Sequence, residues 1–497
     1  MKFGFVGPYY VSESPIADNQ ATINFYPEVI ESGTGRSPVA LYPTPGLTQF
    51  GSDPPTAACR GLLDVGDDDT GRLFAVIGNT FYEYTSAGDR TDRGTLNTTS
   101  GNNVSMSASD TQVFIVDGTN GYVFTLATNA FITISSGGFP SGPIVSGYSD
   151  GYFIVLSTDN YFYVSSIDDA TAWSAADRES VQAPSNSAVG MAILNRQIWV
   201  FGGRITQPFW HSGNPDFPFE ANLSGTINQG LASRFGVTVI PDENTVAWLG
   251  HNDAGRGVAY RAEGYTPVRI SDHSFESAIQ NYSQINDAVG FCYQEKGHVF
   301  WSITFPAANA TWRYDFTASR QLGRPMWHQA AYLNPATGDF AAHRALFHCH
   351  IFGRHIVGDR ENGKLYEMRY PSVLGGVGSF CTDDGDTIRR VRRCPHIHND
   401  TKTVFYQSME IILESGLGLT SGQGEDPQVS LRVWNNGGRG APAFTRMASA
   451  GRLGEYTRRV RFDYLGSARD RVFEAVMTDP IPWRLIDAVL EAGPGIS

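Results

Sequence analysis

One short all-β pattern recurs seven times between about residues 60 and 370, and it restricts the possible folds more than any other feature. Each copy joins two apolar runs through residues that tolerate positive φ, as in Leu73–Ile77, Gly78-Asn79 and Phe81–Tyr84. No segment with helical periodicity is expected between the copies. The first runs are centred on Ala75, Ile115, Ile154, Val200, Ala247, Trp301 and Ile356, with steps of 40, 39, 46, 47, 54 and 55 residues.

A third strand precedes most of these hairpins by about ten residues, for example Gly61–Val65 and Ile144–Ser149. A repeat of roughly 40–50 residues that contains only strands is typical of propeller blades. The sequence therefore predicts an all-β fold, a β-propeller of six to eight blades. A large β-sandwich or a β-solenoid is the alternative, because the later steps lengthen and no WD or kelch signature marks the copies.

The chain divides into three predicted units. Residues 1–45 carry six prolines and little periodicity, so we expect an extended arm pinned to its own subunit or to a neighbour. Residues 46–372 form the propeller, and residues 373–497 form a β-sandwich-like C-terminal domain. The strands predicted in that domain are Val404–Leu413, Val429–Trp434, Arg458–Tyr464, Val472–Thr478 and Arg484–Glu491.

Composition limits the functional classes. The net charge of −13 argues against a general nucleic-acid-binding surface, which would be basic. The sequence has no apolar run of 18 residues and no signal-peptide core at its amino end, so we expect a protein made in a cytoplasm without a membrane-spanning segment. Five cysteines without a CxxC pair predict reduced thiols and no disulfide framework.

Charge is segregated along the chain. Residues 387–497 contain 15 Lys and Arg against 12 Asp and Glu, a net charge of +3, whereas residues 1–386 carry −16. The arginines of the C-terminal part are candidates to meet an acidic partner subunit or the acidic propeller of a neighbour, although each fits an ordinary solvated strand face equally well. The candidate assembly contacts are Asn24, Tyr26, Pro27, Tyr42, Arg389, Arg390, Arg392, Arg393, Arg458, Arg459 and Arg461.

Three constellations are candidates for chemistry. A group of histidines and cysteines has the spacing of some zinc or copper sites but lacks paired cysteines; its members are His348, Cys349, His350, His355, Cys381, Cys394, His396 and His398. A propeller hydrolase would need repeated S-x-D-x-G-x-T-W turns or two close carboxylates, and only Ser149-Asp150-Gly151 and Asn436–Arg439 echo such turns. Residues 67–71 (DDDTG) lack the spacing of a calcium loop. The sequence therefore predicts no catalytic residue, no metal and no cofactor.

Two segments resemble a known family. Residues 12–28 (SESPIADNQATINFYPE) and residues 41–47 (LYPTPGL) are similar to the opening of the packaged-DNA stabilisation proteins, the tail hub or nozzle proteins of short-tailed bacteriophages. Residues 454–480 resemble a segment of such tail proteins, notably at Leu465–Glu474. In that family the arm precedes a β-propeller, which agrees with the repeat.

The resemblance implies a structural virion protein rather than an enzyme. Its relatives assemble as a ring, expected to be a hexamer, below the portal or head–tail adaptor, retain packaged DNA and guide it out on ejection. Expected partners are further copies of the chain, portal or adaptor proteins, and tail fibre, spike or needle proteins, with genomic DNA passing through without sequence-specific binding. The expected location is the tail of the virion. The alternatives are a propeller-based carbohydrate-active hydrolase and a monomeric interaction scaffold.

Overall fold

The computed structural model describes residues 3–68, 70–98, 102–181, 187–251, 257–371, 380–400, 402–435 and 437–495. In these residues, seven four-stranded antiparallel blades surround one axis. Each innermost strand contacts the innermost strand of the next blade, and the innermost strand of the seventh blade contacts that of the first. The predicted β-propeller is therefore confirmed, and its ring is closed.

Within each of the first six blades the four strands follow one another along the chain from the axis outward, and blade 7 takes its outermost strand from the beginning of the chain. Blade 1 comprises Cys59–Val65, Arg72–Ile77, Thr80–Tyr84 and Arg90–Thr95, and blade 2 comprises Ser105–Ala108, Gln112–Val116, Gly121–Thr125 and Ala130–Thr133. Blade 3 comprises Pro143–Ser149, Tyr152–Ser157, Tyr161–Ser166 and Asp169–Ser180, and blade 4 comprises Ala188–Leu194, Gln197–Gly202, Thr206–His211 and Phe219–Ala221. Blade 5 comprises Val237–Ile240, Thr245–His251, Gly257–Glu263 and Thr266–Arg269. Blade 6 comprises Val289–Glu295, His298–Phe305, Ala310–Asp315 and Trp327–Gln329. Blade 7 comprises Ala345–Ile351, Arg354–Asp359, Leu365–Arg369 and Gly46–Phe50.

Hydrophobic clusters fill the spaces between neighbouring blades. Alternate residues of one strand serve two clusters, because successive side chains of a strand point to opposite faces. In Leu73–Ile77, residues 73, 75 and 77 pack towards blade 7, and Phe74 and Val76 pack towards blade 2. Both faces are buried, so the strands are continuous apolar runs rather than alternating ones.

The ring is closed by a strand from the beginning of the chain. Gly46–Phe50 pairs antiparallel with Leu365–Arg369 and is the outermost strand of blade 7. Leu47 and Phe50 are buried there, in the clusters that join blade 7 to blades 6 and 1. Opening the ring would therefore expose apolar surface on two blade interfaces, which makes closure favourable.

Two short α-helices interrupt the later repeats, and the expectation of no helical segment was wrong there. His273–Gln280 begins at Asp272, whose carboxylate accepts a hydrogen bond from the Phe275 amide. Phe316–Leu322 begins at Asp315, whose carboxylate accepts one from the Ala318 amide. These N-caps stabilise helices too short to show a clear periodicity. Two 3₁₀ turns, Leu223–Gly225 and Pro241–Glu243, complete the helical elements of the described residues.

The C-terminal part is a sandwich of two sheets, and the arm contributes strands to both. Sheet one continues blade 6 through Asn19–Ile23 into Arg390–Arg393, Asp470–Met477, Gln428–Trp434 and Phe444–Ser449. Sheet two has the order Phe25–Val29, Val39–Pro43, Leu485–Pro494, Val404–Leu413 and Val460–Ala468. One large hydrophobic cluster lies between the sheets. The remaining strands are Tyr10–Val11, Ala331–Leu333, Phe340–Ala342, Thr382–Asp383, Asp386–Thr387 and Ile397–His398.

Neither of the two α-helices in the described ranges is long and apolar enough to span a membrane. The predicted division at residues 45 and 372 stays a prediction, and residues 372–379 lie outside the described part of the chain. Within the described residues the arm lies along its own subunit, where it is shared between the propeller and the sandwich.

Candidate assembly surfaces

Asn24 lies where the arm passes from sheet one to sheet two. Its backbone adopts φ +58°, a left-handed conformation that asparagine tolerates better than most residues. The side-chain Nδ2 donates to the carbonyls of Ala331 and Arg389, both at 2.8 Å, and Oδ1 accepts from the Ala331 amide at 2.8 Å. One buried side chain thereby joins the arm to the propeller side and to the C-terminal part.

Three other arm candidates pack in the same region. Tyr26 is buried and makes edge-to-face contacts with the rings of Tyr42, Phe300 and Tyr370. Pro27 is buried opposite Leu41, and Tyr42 is half-buried. These side chains find their partners inside their own subunit, so the arm stabilises the chain that carries it.

Arg392 is fully buried and holds the arm against the sandwich. Its guanidinium donates to the carbonyls of Phe5 at 2.5 Å and Pro8 at 3.0 Å, to Gln20 Oε1 at 2.7 Å and to Thr22 Oγ1 at 2.9 Å. Burial lowers the pKa of Arg392 to about 10. The four acceptors lie on two separate pieces of the arm, and the forked, planar donors of a guanidinium can reach all of them. The ammonium group of a lysine could not.

The neighbouring arginines of the same segment are also occupied within the chain. Arg393 pairs with Glu474 at 2.7 Å, and Arg389 donates to the Gly338 carbonyl at 2.9 Å. Arg390 is fully buried, and among the described residues its guanidinium nitrogens have no hydrogen-bond partner. A side chain without accessible surface offers nothing to a neighbouring subunit in this conformation, so Arg390 and Arg392 serve the interior of the chain.

The last three candidates are exposed on the C-terminal sandwich. Arg459 pairs with Glu410, and Arg461 lies 2.8 Å from Asp463 and 3.2 Å from Glu491. Acidic partners on the same sheet therefore balance much of the positive charge expected on this part of the chain, and exposed pairs of this kind contribute little to stability. The prediction that Arg458, Arg459 and Arg461 contact a partner stays a prediction.

The solvent side of sheet two also carries exposed aromatic groups that the sequence pattern did not single out. Tyr464 is 86% exposed and Phe405 is 53% exposed. A groove of about 680 Å³ runs beside them, and Arg461, Asp463 and Glu491 line it. We call this surface, defined by these five residues, the outer face. Exposed apolar groups within a polar rim mark interaction surfaces.

A β-bulge turns Tyr464 outward. The pairing of Val460–Ala468 with Val404–Leu413 shifts register between Tyr406 and Ser408, and Tyr464 adopts φ +57° at this point. Strict alternation with Phe462 would have placed the Tyr464 ring inside the sandwich. Gly466, two residues later and also at positive φ, is the sequence signal for such a bulge.

The residues considered for chemistry are in ordinary structural contacts. His348 Nε2 lies 2.9 Å from His355 Nδ1, and burial lowers the pKa of both histidines. His396 lies 2.8 Å from Asp470, in a different part of the fold. Asp67 accepts hydrogen bonds from Thr70 in a local turn, whereas Asp69 and Asn436 lie outside the described residues. In the described ranges no three His, Cys, Asp or Glu residues are arranged to hold a metal ion.

Comparison with known proteins identifies the family. The family model described as bacteriophage P22 Gp10, β-propeller, matches residues 16–372. The chain belongs to this family. Membership in the P22 Gp10 family supports a phage structural role in stabilising DNA and a location in the virion, and it agrees with the closed ring of seven blades. No curated protein matches the sequence.

Solved structures show only a distant likeness to this member of the P22 Gp10 family. The extracellular domain of a putative one component system from B. thetaiotaomicron has a TM-score of 0.45 at 10% identity, covering 73% of this chain and 46% of that chain. This chain thus spans less than half of that structure. The N-terminal domain of Nup159 has a TM-score of 0.42 at 10% identity, covering 70% and 98%. The WD40 β-propeller domain of Doa1 has a TM-score of 0.39 at 10% identity, covering 65% of this chain and 97% of that chain.

Proposed function

We propose that this chain is the tail hub or nozzle subunit of a short-tailed phage. In this role it assembles into a closed ring, expected to be hexameric, below the portal or head–tail adaptor. The ring retains packaged DNA, provides the conduit for its ejection, and docks fibre, spike or needle proteins. The observation that carries the proposal is the match of residues 16–372 to the P22 Gp10 family.

The arm makes the subunit suitable as a building block. A ring of identical copies uses two different patches on each subunit, and their relative orientation must be constant for the ring to close. Asn24 and Arg392 bind the arm to both the propeller side and the sandwich, so these units are held in one orientation. A patch on the sandwich and a patch on the propeller of the next copy can then meet with a fixed rotation.

The outer face is our choice for one of the two patches. Six of the twelve exposed large hydrophobic residues in the described part of the chain lie in the C-terminal sandwich, namely Phe405, Met447, Leu453, Tyr456, Tyr464 and Val489. Tyrosine is enriched among the residues that dominate binding energy at interfaces. The arginines and acids around Tyr464 would then form the polar rim that sets orientation and partner choice.

Genome passage requires a wall that does not grip DNA. DNA carries one negative charge per about 1.7 Å, so a wall rich in Lys and Arg would bind it strongly. The net charge of −13 favours passage of genomic DNA without sequence-specific binding. A bore lined by Lys and Arg in positions that contact phosphates would contradict this part of the proposal.

Substitution of Tyr464 tests the assembly surface. Tyr464→Asp places a charge at the centre of the outer face and should weaken ring formation by about 30-fold or more, since truncation of a central aromatic typically costs about 2 kcal/mol or more. The mass distribution of the purified protein, measured by light scattering across a concentration series, reports the change.

Leu223→Asp is the matched control. Leu223 is 67% exposed, but it lies on blade 4 of the propeller, away from the sandwich. We expect this variant to form rings as the unmodified chain does. If Tyr464→Asp forms rings at unchanged concentrations and with an unchanged melting temperature, the outer face is not the assembly surface.

A further inference from the structure

A cavity of about 620 Å³ lies on the propeller axis, at the end where the innermost strands begin. Residues from blades 1, 2, 4, 5, 6 and 7 line it, and side chains from so many blades meet only near the axis. Its volume lies within the roughly 300–1,000 Å³ that is usual for small-molecule sites. The outer face lies on the sandwich, so this cavity is a separate feature.

Three arginines line this axial cavity, in a chain whose net charge is −13. Arg60 comes from blade 1, Arg234 precedes the first strand of blade 5, and Arg360 follows the second strand of blade 7. Asp287 is the single acidic residue of the lining. The lining therefore has a formal charge of +2, and walls of low dielectric concentrate such a field inside a cleft.

Arg60 is held rigidly without direct contact to a carboxylate. It is 4% exposed and donates to the carbonyls of Asn102 at 2.6 Å, Gly78 at 2.8 Å and Thr98 at 3.0 Å. Asp117 is linked to it through the Thr98 hydroxyl, which accepts from Arg60 and donates to Asp117 at 2.8 Å. The guanidinium is thus fixed in place by neutral oxygens and contributes its charge to the cavity.

Arg234 has the least balanced charge in the cavity. Its Nε is enclosed and, among the described residues, has no hydrogen-bond partner, and no carboxylate of those residues lies within 4 Å of the guanidinium. Burial lowers its pKa. An enclosed donor without an acceptor costs free energy unless a bound group supplies one.

A second cavity of the propeller has an uncharged lining. A cavity of about 300 Å³ at the inner strands of blades 2, 3 and 4 is lined by Met106, Met191, Ile193 and other uncharged groups. The arginines are therefore a feature of the larger axial cavity inside one subunit.

We propose that the axial cavity is a binding site for a phosphate group, either free inorganic phosphate or a small phosphomonoester. Arg234 faces the phosphate oxygens, because guanidinium groups match phosphate geometry with paired donors. Arg60 contributes positive charge, since its donors are engaged by Asn102, Gly78 and Thr98. Arg360 lies at the rim, where it donates to Asn309 Oδ1 at 2.8 Å and pairs with Glu361 at 2.6 Å, so its charge is largely balanced. Asp287 opposes the anion. Its Oδ2 accepts from the Ala307 amide at 2.7 Å, and its Oδ1 is enclosed and, among the described residues, has no hydrogen-bond partner.

Calorimetric titration of the full chain at constant ionic strength tests the site. The probes are inorganic phosphate and glycerol phosphate, with glycerol as the neutral comparison. We expect saturable binding of at least one phosphate probe and none of glycerol, and the probe that binds more tightly identifies the source of the phosphate group. Arg234→Gln should weaken binding about tenfold or more, since a hydrogen bond to a charged group is lost.

Two further variants separate binding from folding. Arg439→Gln removes the same charge from an exposed position outside the cavity and should bind as the unmodified chain does. Asp287→Asn keeps an acceptor for the Ala307 amide while removing the opposing charge, so it should tighten binding, an effect that no folding defect would produce. Absence of saturable binding, or equal affinities for Arg234→Gln and the unmodified chain, would overturn the proposal. These titrations measure binding inside one subunit, so their outcome does not depend on whether the chain forms rings.

Discussion

Replacement of Arg392 by methionine should release the arm without unfolding the propeller. The substitution keeps an unbranched apolar stem but removes four hydrogen bonds, to Phe5, Pro8, Gln20 and Thr22. Bonds from a charged donor are worth about 1.5–3 kcal/mol each. Several kcal/mol of guanidinium desolvation are recovered in the variant. The net loss is about 3 kcal/mol, and it acts on the arm rather than on the blades.

Hydrogen exchange measured by mass spectrometry reports this loss locally. A loss of about 3 kcal/mol corresponds to roughly 100-fold faster exchange of the arm amides, since 1.4 kcal/mol is tenfold. Peptides covering residues 9–24 should show it, whereas peptides from Gln112–Val116 of blade 2 should not. Arg389→Met, which removes the bond to Gly338 and the contact of the guanidinium with the Phe340 ring, is the matched control. Unchanged protection of the arm, or equal acceleration in blade 2, would refute the assigned role of Arg392.

Three other predictions concern stability. His298 hydrogen-bonds Asp315 at 2.7 Å and Glu28 at 3.0 Å; burial alone would lower its pKa, but these bonds outweigh burial and raise it to about 9. A raised histidine pKa stabilises the fold below the unfolded value of about 6.5, so up to about 3 kcal/mol should be lost as the pH rises from there through about 9. Urea midpoints across this range should fall for the unmodified chain and stay flatter for His298→Gln; parallel curves would contradict the assignment. Leu47→Ala should cost about 2–5 kcal/mol in denaturant titrations because the closing strand loses its buried anchor, with exposed Thr48→Ala as control; equal midpoints for the two variants would argue against closure by this strand. Asn24→Ala should lower the free energy of unfolding by about 3 kcal/mol, and Asn24→Gly should lower it by less. Both variants lose the side-chain hydrogen bonds, but glycine adopts the left-handed backbone conformation of residue 24 without strain. Equal losses in the two variants would show that the backbone conformation contributes nothing.

The blades were predictable because their signal is local. All seven predicted hairpins are the second and third strands of blades, and each joins two buried apolar runs. In four of the described turns a residue adopts positive φ, namely Gly78, Gly118, Asn160 and Asn309. The closing strand Gly46–Phe50 was not predictable in the same way, because its partner Leu365–Arg369 lies about 320 residues along the chain. The two short helices were missed because their caps, Asp272 and Asp315, follow strands without a helical period.

Burial of polar groups was the other part that sequence alone did not reveal. The pairs Arg389-Arg390 and Arg392-Arg393 look like solvated strand residues, yet Arg390 and Arg392 are fully buried. The arm covers Arg392, and Arg390 lies near Cys381 and Asp383. Conversely, the alternation around Phe462 hides the exposure of Tyr464, since a bulge reverses the faces. The arginines of the axial cavity belong to three blades, and only ring closure brings them together.

Cryo-electron microscopy of purified phage particles that carry this chain tests the central claim most directly. The account predicts a closed ring of copies below the portal, with the propellers intact and Tyr464 at the boundary between neighbouring subunits. Absence of the chain from the particles, or its presence only as isolated propellers that do not contact one another, would contradict it.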